Sequence, residues 1–188
     1  MKITAVRHGE TEGNVKRIVQ SHTGGLLTVR GREQAKDTSR QLAAERFDAI
    51  YTSDLRRCIE TAELLLAGFP TPSFIRTEQL RERDQAAYDG KSWDDLPVAI
   101  LENTDIAARV PGGESWLQVE ARIAALLNDL YAQYPDGSVL LITHGGPVKT
   151  LRSLVDGLSL EEAVRDMISN AGIWRGEIAS PVVPTAVS

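Results

Sequence analysis

The chain has 188 residues, enough for one domain with a sizeable core, and 42% hydrophobic with 25% charged residues is ordinary for a globular protein. A net charge of -5 disfavours a surface built for nucleic acid or anionic lipid. A single cysteine, Cys58, excludes an intrachain disulfide, and with no charged-then-apolar leader and no apolar run of membrane length the chain reads as cytoplasmic.

Ile3-Thr4-Ala5-Val6 is a β-prone run that stops at Arg7-His8-Gly9-Glu10-Thr11. It predicts a strand delivering a cation and an imidazole at its carboxyl end, where open α/β sheets place their sites. Taken alone, such a histidine is more often structural than chemical. Asn14, Arg17 and Gln20 follow and could each donate to an anion beside His8, whereas His22 reads as a surface histidine. Thr28 is a helix cap, and the helix is expected to run to about Arg46 with Ala35, Leu42 and Ala43 on its buried side. Phe47 to Thr52 has strand composition, and Ser53 or Asp54 can cap the next helix. There Leu55, Cys58, Ile59, Ala62, Leu65 and Leu66 make a core face, so Cys58 is expected to be a small buried apolar residue. Arg57, in the first turn of that helix, opposes the helix macrodipole, a conflict that a nearby anion would remove.

Gly68, Pro70 and Pro72 predict a turn, and Ser73 to Thr77 a further strand. Glu82 alone would pass for one more solvated charge. The 83–112 block has little periodicity and is the candidate flap over a site; within it Ser92 and Asp95 resemble a capping box for a short helix to about Leu101. Tyr88 and Trp93 are expected to pack, not to meet substrate. Glu114 to Tyr134 is strongly helical, with Trp116, Val119, Ile123, Leu126, Leu127 and Leu130 on one face. Val139-Leu140-Leu141-Ile142 is the kind of run buried on both faces of a parallel sheet, and it ends in Thr143-His144-Gly145-Gly146. Strand, polar residue, histidine, glycine: the arrangement repeats that of the amino terminus, and two parallel strands would bring His8 and His144 to one sheet edge. Ser159 and Glu162 open a last short helix, Ala171 to Ile178 alternates like an edge strand, and the tail from Ser180 is expected to be loosely ordered. One domain over 1–179 accommodates all of these elements.

Two imidazoles, two arginines and a carboxylate suit phosphoryl transfer. Arg7, Arg57 and His144 could stabilise the charge spread over the equatorial oxygens, and His8 could attack phosphorus through a neutral ring nitrogen. An alkoxide leaving group needs a proton, which Glu82 could supply. Only two histidines pair, with neither HxH nor HExxH spacing, so no metal site is predicted; GxSxG, GxxxxGK[ST] and GxGxxG are all absent.

These residues resemble the histidine phosphatase superfamily, in its phosphoglycerate-mutase-like branch, from Lys2 to Ile178. The resemblance rests on five stretches in the same order. They are Arg7-His8-Gly9-Glu10-Thr11 with Asn14, Gln20 and Leu27-Thr28-x-x-Gly31-x-x-Gln34-Ala35; Ser53-Asp54-Leu55-x-Arg57 with Thr61-Ala62; Leu80-x-Glu82; Pro111-Gly112-Gly113-Glu114-Ser115; and Thr143-His144-Gly145-Gly146. It implies a three-layer α/β/α sandwich with a mostly parallel sheet and one antiparallel edge strand, and no metal or other cofactor. It further implies His8 as the phosphorylated nucleophile, Glu82 as the proton donor, and Arg7, Asn14, Gln20, Arg57, His144 and Gly145 as phosphate ligands. Ser21 stands where the family commonly has glycine, and Ala86 and Ala87 where its phosphatases often do. The 83–112 block lacks the paired arginines by which the family's mutases bind phosphoglycerates. The expected activity is therefore hydrolysis of a small phosphorylated metabolite, with mutase-type transfer and a non-catalytic phospho-ligand or protein-binding module as the alternatives.

Overall fold

Three apolar runs form the middle of the sheet. In the computed structural model, which describes residues 1–69, 73–102, 105–166 and 168–186, β1 (Lys2–Arg7), β2 (Ala49–Ser53) and β4 (Ser138–Thr143) are parallel, with β4 between the other two. β3 (Ile75–Thr77) joins in parallel outside β2, and β5 (Ile173–Glu177) runs antiparallel to β1 at the other edge, giving the order β3-β2-β4-β1-β5. The mostly parallel sheet with one antiparallel edge strand is the one the sequence predicts.

Alternation along the strands divides the core between two faces. Val139 and Leu141 pack with Ile3 and Ala5 beneath α5 (Trp116–Gln133), α6 (Gly145–Asp156) and α7 (Leu160–Ala163). Leu140 and Ile142 pack with Val6 and Ile50 beneath α2 (Val29–Leu42) and α3 (Arg56–Leu66). A strand buried on both sides needs helices on both sides, so the three-layer sandwich follows from the unbroken aliphatic run of β4, each side chain contributing about 1.5–3 kcal/mol of burial. Two single-turn helices, α1 (Glu12–Val15) and α4 (Val98–Leu101), complete the elements described here.

Several boundaries differ from expectation. α2 stops at Leu42, and the Arg46 guanidinium, instead of extending the helix, takes the carbonyls of Ala43 and Glu45. α3 has no side-chain cap: the Ser53 hydroxyl accepts from the Leu55 N–H and from His144, and Asp54 is held by Arg81 Nε at 2.8 Å. Ser92 caps only a 3-10 turn over Trp93–Asp95, because Pro97 interrupts the run before α4 begins. Pro70 and Pro72 lie outside the described residues. The expected caps at Thr28 and Ser159 are present, and Ser115 forms a full capping box with Gln118. Residues 181–186 have no helix or strand and are held at two points along α5. Asn128 on α5 exchanges two hydrogen bonds with the Val182 backbone, and the Thr185 N–H donates to buried Glu120 at 2.7 Å.

Two glycines are required where the first loop crosses α2. A β-carbon on Gly9 would lie 2.4 Å from the Gly31 carbonyl oxygen, and one on Gly31 would lie 2.0 Å from that of Glu10. Ala86 shows the reverse situation, an alanine held at φ 25°. Replacing it with glycine is expected to raise stability by about 0.5–1 kcal/mol in urea titration, whereas Ala87→Gly, at ordinary φ in the same 3-10 turn, lowers it.

Candidate active site

Parallel pairing of β1 and β4 sets Arg7 opposite Thr143, so the residues that follow both strands emerge side by side. The His8 and His144 rings stand 5.3 Å apart at 64°, both almost wholly buried. His8 Nδ1 lies 2.8 Å from the Gly9 carbonyl, which only accepts, so Nδ1 carries the proton and donates it. Nε2 is left with a lone pair and no partner among the described residues. The Gly9 N–H is held by the Thr61 hydroxyl at 3.1 Å, which ties this turn to α3.

Arg57 and His144 lie behind His8, outside the wall of the cavity described below. Arg57 is 1% exposed, with Nε donating to His144 Nδ1 at 3.1 Å and its terminal nitrogens donating to the carbonyls of Gln20, Ser21 and Thr23. Loop carbonyls and an imidazole therefore satisfy the arginine that the sequence left in conflict with its helix. Because Arg57 donates to Nδ1, His144 Nε2 bears the proton and donates to the Ser53 hydroxyl at 2.9 Å. Cys58 touches the same ring, and burial pushes its thiol up, away from the nucleophilic thiolate, as expected of a packed cysteine.

Glu82 reaches the site from the turn after a 3-10 helix at Glu78–Leu80. Oε1 accepts from the Gly146 N–H at 3.0 Å and the Arg83 N–H at 2.8 Å, which sets the carboxylate against the amino terminus of α6. A β-carbon on Gly145 would lie 3.7 Å from Arg7 Nε and 3.8 Å from Glu82 Oε2, so the two groups converge there. The Glu82 carbonyl is clamped by His22 Nε2 at 3.0 Å and Arg122 at 3.1 Å. His22 is thus a support for Glu82 and not the surface histidine the sequence suggested.

A cavity of about 410 Å³ opens in front of these groups, lined by Arg7, His8, Asn14, Gln20, Glu82 and Gly145 among others. Arg7 Nε and Gln20 Oε1 are buried without a partner among the described residues. Arg7 also grips the Ile168 carbonyl, and Gln20 Nε2 donates to the Thr11 hydroxyl at 2.7 Å. Arg83, Gln85 and Trp93, from the block expected to cover the site, also line the cavity, as do Lys149 and Trp116; none of the five was named individually as a site residue. Arg83 and Lys149 lie over the Trp116 ring at 4.8 and 5.6 Å. Lys149 was legible in principle, since it lies one helical turn beyond Gly145 on the same face. Trp93 and Trp116 were assigned to packing; Trp116 does both jobs, because the first residue of α5 lies where the core meets the cavity. Ser21, where a glycine is common, accepts from the Gln85 N–H at 2.8 Å and so ties the 83–112 block to the loop that carries Gln20.

Burial, reinforced by the charges of Arg57 and Arg7, holds His8 well below the usual imidazole range, and burial with Arg57 does the same for His144. Both histidines thus stay neutral in the fold at pH values where the unfolded chain protonates them. Their contribution to stability is intact above the unfolded value near 6.5 and is lost as pH falls below it, at up to about 1.4 kcal/mol per pH unit for each. Urea midpoints at pH 7.5 and 5.5 should show this fall, and His8→Asn should remove about half of the histidine share.

The profile of the histidine phosphatase superfamily (branch 1) matches residues 3–180. A protein named as a phosphoglycerate mutase in Cronobacter sakazakii is 31% identical over 181 residues, covering 93% of this chain and 84% of its own. One named as a phosphoserine phosphatase in Hydrogenobacter thermophilus is 30% identical over 179 residues, covering 92% and 87%. Among solved structures, a mycobacterial glucosyl-3-phosphoglycerate phosphatase complexed with VO3 superposes with a TM-score of 0.82 at 27% identity, over 93% of this chain and 91% of that one. A mutant of the phosphoserine phosphatase of Entamoeba histolytica in complex with phosphoserine gives 0.84 at 25%, over 98% and 95%.

Proposed function

This chain belongs to branch 1 of the histidine phosphatase superfamily, and on that premise we propose that it hydrolyses phosphate monoesters of small metabolites through a phosphohistidine at His8, without a cofactor. The observation that carries this reading is the His8 ring, with Nδ1 donated to Gly9 and Nε2 left free in a cavity that also holds Glu82. Nε2 attacks phosphorus and the ester P–O bond breaks, the leaving oxygen taking a proton from the Glu82 carboxyl. Water then attacks phosphorus and gives its proton to Glu82, and the N–P electrons return to Nε2.

Arg7 Nε, the Asn14 amide and the Gly145 N–H are the direct phosphate donors in this proposal. Gln20 joins them after a half-turn of its amide, which exchanges the orphaned Oε1 for Nε2 while the Thr11 hydroxyl proton turns from Asn14 Oδ1 to Gln20 Oε1, Asn14 keeping the Thr11 N–H and Asn170. Arg57 and His144 act from behind: the Arg57 charge that depresses His8 also stabilises negative charge on the phosphoryl group. The 83–112 segment serves as a cover and supplies Arg83, Gln85 and Trp93 to the organic part of the ester. The reaction belongs in the cytoplasm on this reading; no helix among the described residues is long and apolar enough to cross a membrane.

Hydrolysis is favoured over mutase transfer because the flap offers a single arginine to the cavity. Arg83 lines it, whereas Arg109 is spent on the Gly113 carbonyl through two nitrogens. Relatives bearing mutase names are as similar as those bearing phosphatase names, so the test must measure both reactions. Chelator-treated enzyme is given a panel of phosphate esters, and phosphoglycerate isomers are followed with and without a bisphosphate primer. Phosphate release should dominate, and isomer exchange faster than release would overturn the assignment.

A further inference from the structure

At the start of β5 the chain folds as a strap over the end of β1. Ala171 is held left-handed at φ 54°, its N–H donates to the His8 carbonyl at 3.1 Å, and its own carbonyl accepts from the Thr38 hydroxyl at 2.9 Å. The Gly172 carbonyl accepts from the Arg7 N–H at 3.1 Å. This turn presents Asn170, whose Nδ2 lies 3.3 Å from the His8 carbonyl and 3.1 Å from Asn14 Oδ1.

The orientation of both amides follows from what each partner can do. The His8 carbonyl only accepts, so Asn170 must present Nδ2. Asn14 must then present its oxygen, which accepts from Asn170, from the Thr11 N–H at 3.0 Å and from the Thr11 hydroxyl at 2.9 Å. With Oδ1 so committed, Asn14 Nδ2 is left over, a donor on a cavity-lining side chain with no acceptor among the described residues.

We propose that Asn170 is a positioning residue for phosphate recognition: anchored on the His8 carbonyl, its amide fixes Asn14 with Nδ2 toward the bound phosphoryl group. The inference rests on Asn14 being a phosphate ligand. It makes the nucleophile's own backbone the reference point for that ligand, so the two stay in register although Asn170 touches neither substrate nor phosphorus.

The test measures inorganic phosphate affinity by calorimetry, and kcat and KM on p-nitrophenyl phosphate, for Asn170→Ala, Asn170→Asp, Asn14→Ala and the doubles. Asn170→Ala should weaken phosphate roughly fivefold, with KM rising more than kcat falls. Asn170→Asp, isosteric but unable to donate, sets a carboxylate against Asn14 Oδ1 and should weaken it further, by roughly 30-fold. A merely structural role predicts the opposite order, with the truncation worse than the isostere. In the Asn14→Ala background Asn170→Ala should change phosphate affinity no further. Wild-type affinity in both Asn170 variants, or full additivity of Asn170→Ala with Asn14→Ala, overturns the inference alone. No effect of Asn14→Ala itself overturns the ligand role of Asn14 and the inference with it. Should Asn170→Ala unfold, Asn170→Asp carries the same comparison.

Discussion

The His8→Ala enzyme is expected to lose on the order of 10⁴-fold or more in kcat on p-nitrophenyl phosphate while binding inorganic phosphate within about tenfold of wild type. The donors around the phosphate are unaffected by the change, because Arg7 is held by Ile168, and Asn14 by Thr11 and Asn170. What disappears is the lone pair on Nε2; of the neighbouring side chains, Cys58 is buried with a thiol that disfavours ionisation, and Ser53 faces His144. Quenched wild-type enzyme should carry a phosphoryl group that is lost in acid and survives in alkali, as a phosphoramidate is, and His8→Ala should carry none. Because burial, Arg57 and Arg7 hold the His8 pKa low, its neutral, nucleophilic form persists below the ordinary imidazole range. The acid limb of kcat/KM should accordingly fall below the value of a free histidine. Wild-type turnover in His8→Ala would refute the covalent route.

How much of this site was legible depends on whether a residue's role is set by the chain near it or by what crosses it. His8 and His144 were legible because each follows an apolar strand, and parallel pairing of β1 with β4 brings such residues together. Helix faces and the caps at Thr28 and Ser159 were legible for the same local reason. Arg57 was flagged as misplaced on its helix, but its acceptors, the carbonyls of Gln20, Ser21 and Thr23, come from a loop with no sequence signal for conformation. His22 shows the same limit, since its partner is a backbone carbonyl 60 residues away. Asn170 is the extreme case: an unremarkable asparagine before a strand, joined to Asn14 across 156 residues. Tertiary crossings of this kind have no period and no spacing to read.

Glu82→Gln should separate two kinds of ester. For an alkyl phosphate, whose alkoxide must be protonated as it leaves, the rate of enzyme phosphorylation is expected to fall about 10²–10⁴-fold. For p-nitrophenyl phosphate, whose phenolate leaves without a proton, the same step should change less than about tenfold, because no acid is needed. The second half-reaction still requires a base, so this variant should show a burst of nitrophenolate equal to the enzyme present, followed by slow turnover. Gly146→Ala offers an independent route to the same signature. A β-carbon there would lie 2.1 Å from Glu82 Oε1 and 3.3 Å from its carboxyl carbon, so the acid must move while remaining an acid. Its hydrogen bond from the Gly146 N–H, now 3.0 Å, is strained or broken by the same displacement. The expected result is a smaller loss with the same dependence on leaving group, read by rapid-quench kinetics on the two esters. An equal slowing of phosphorylation for both esters in Glu82→Gln would assign Glu82 to holding the phosphoryl group and deny it the proton.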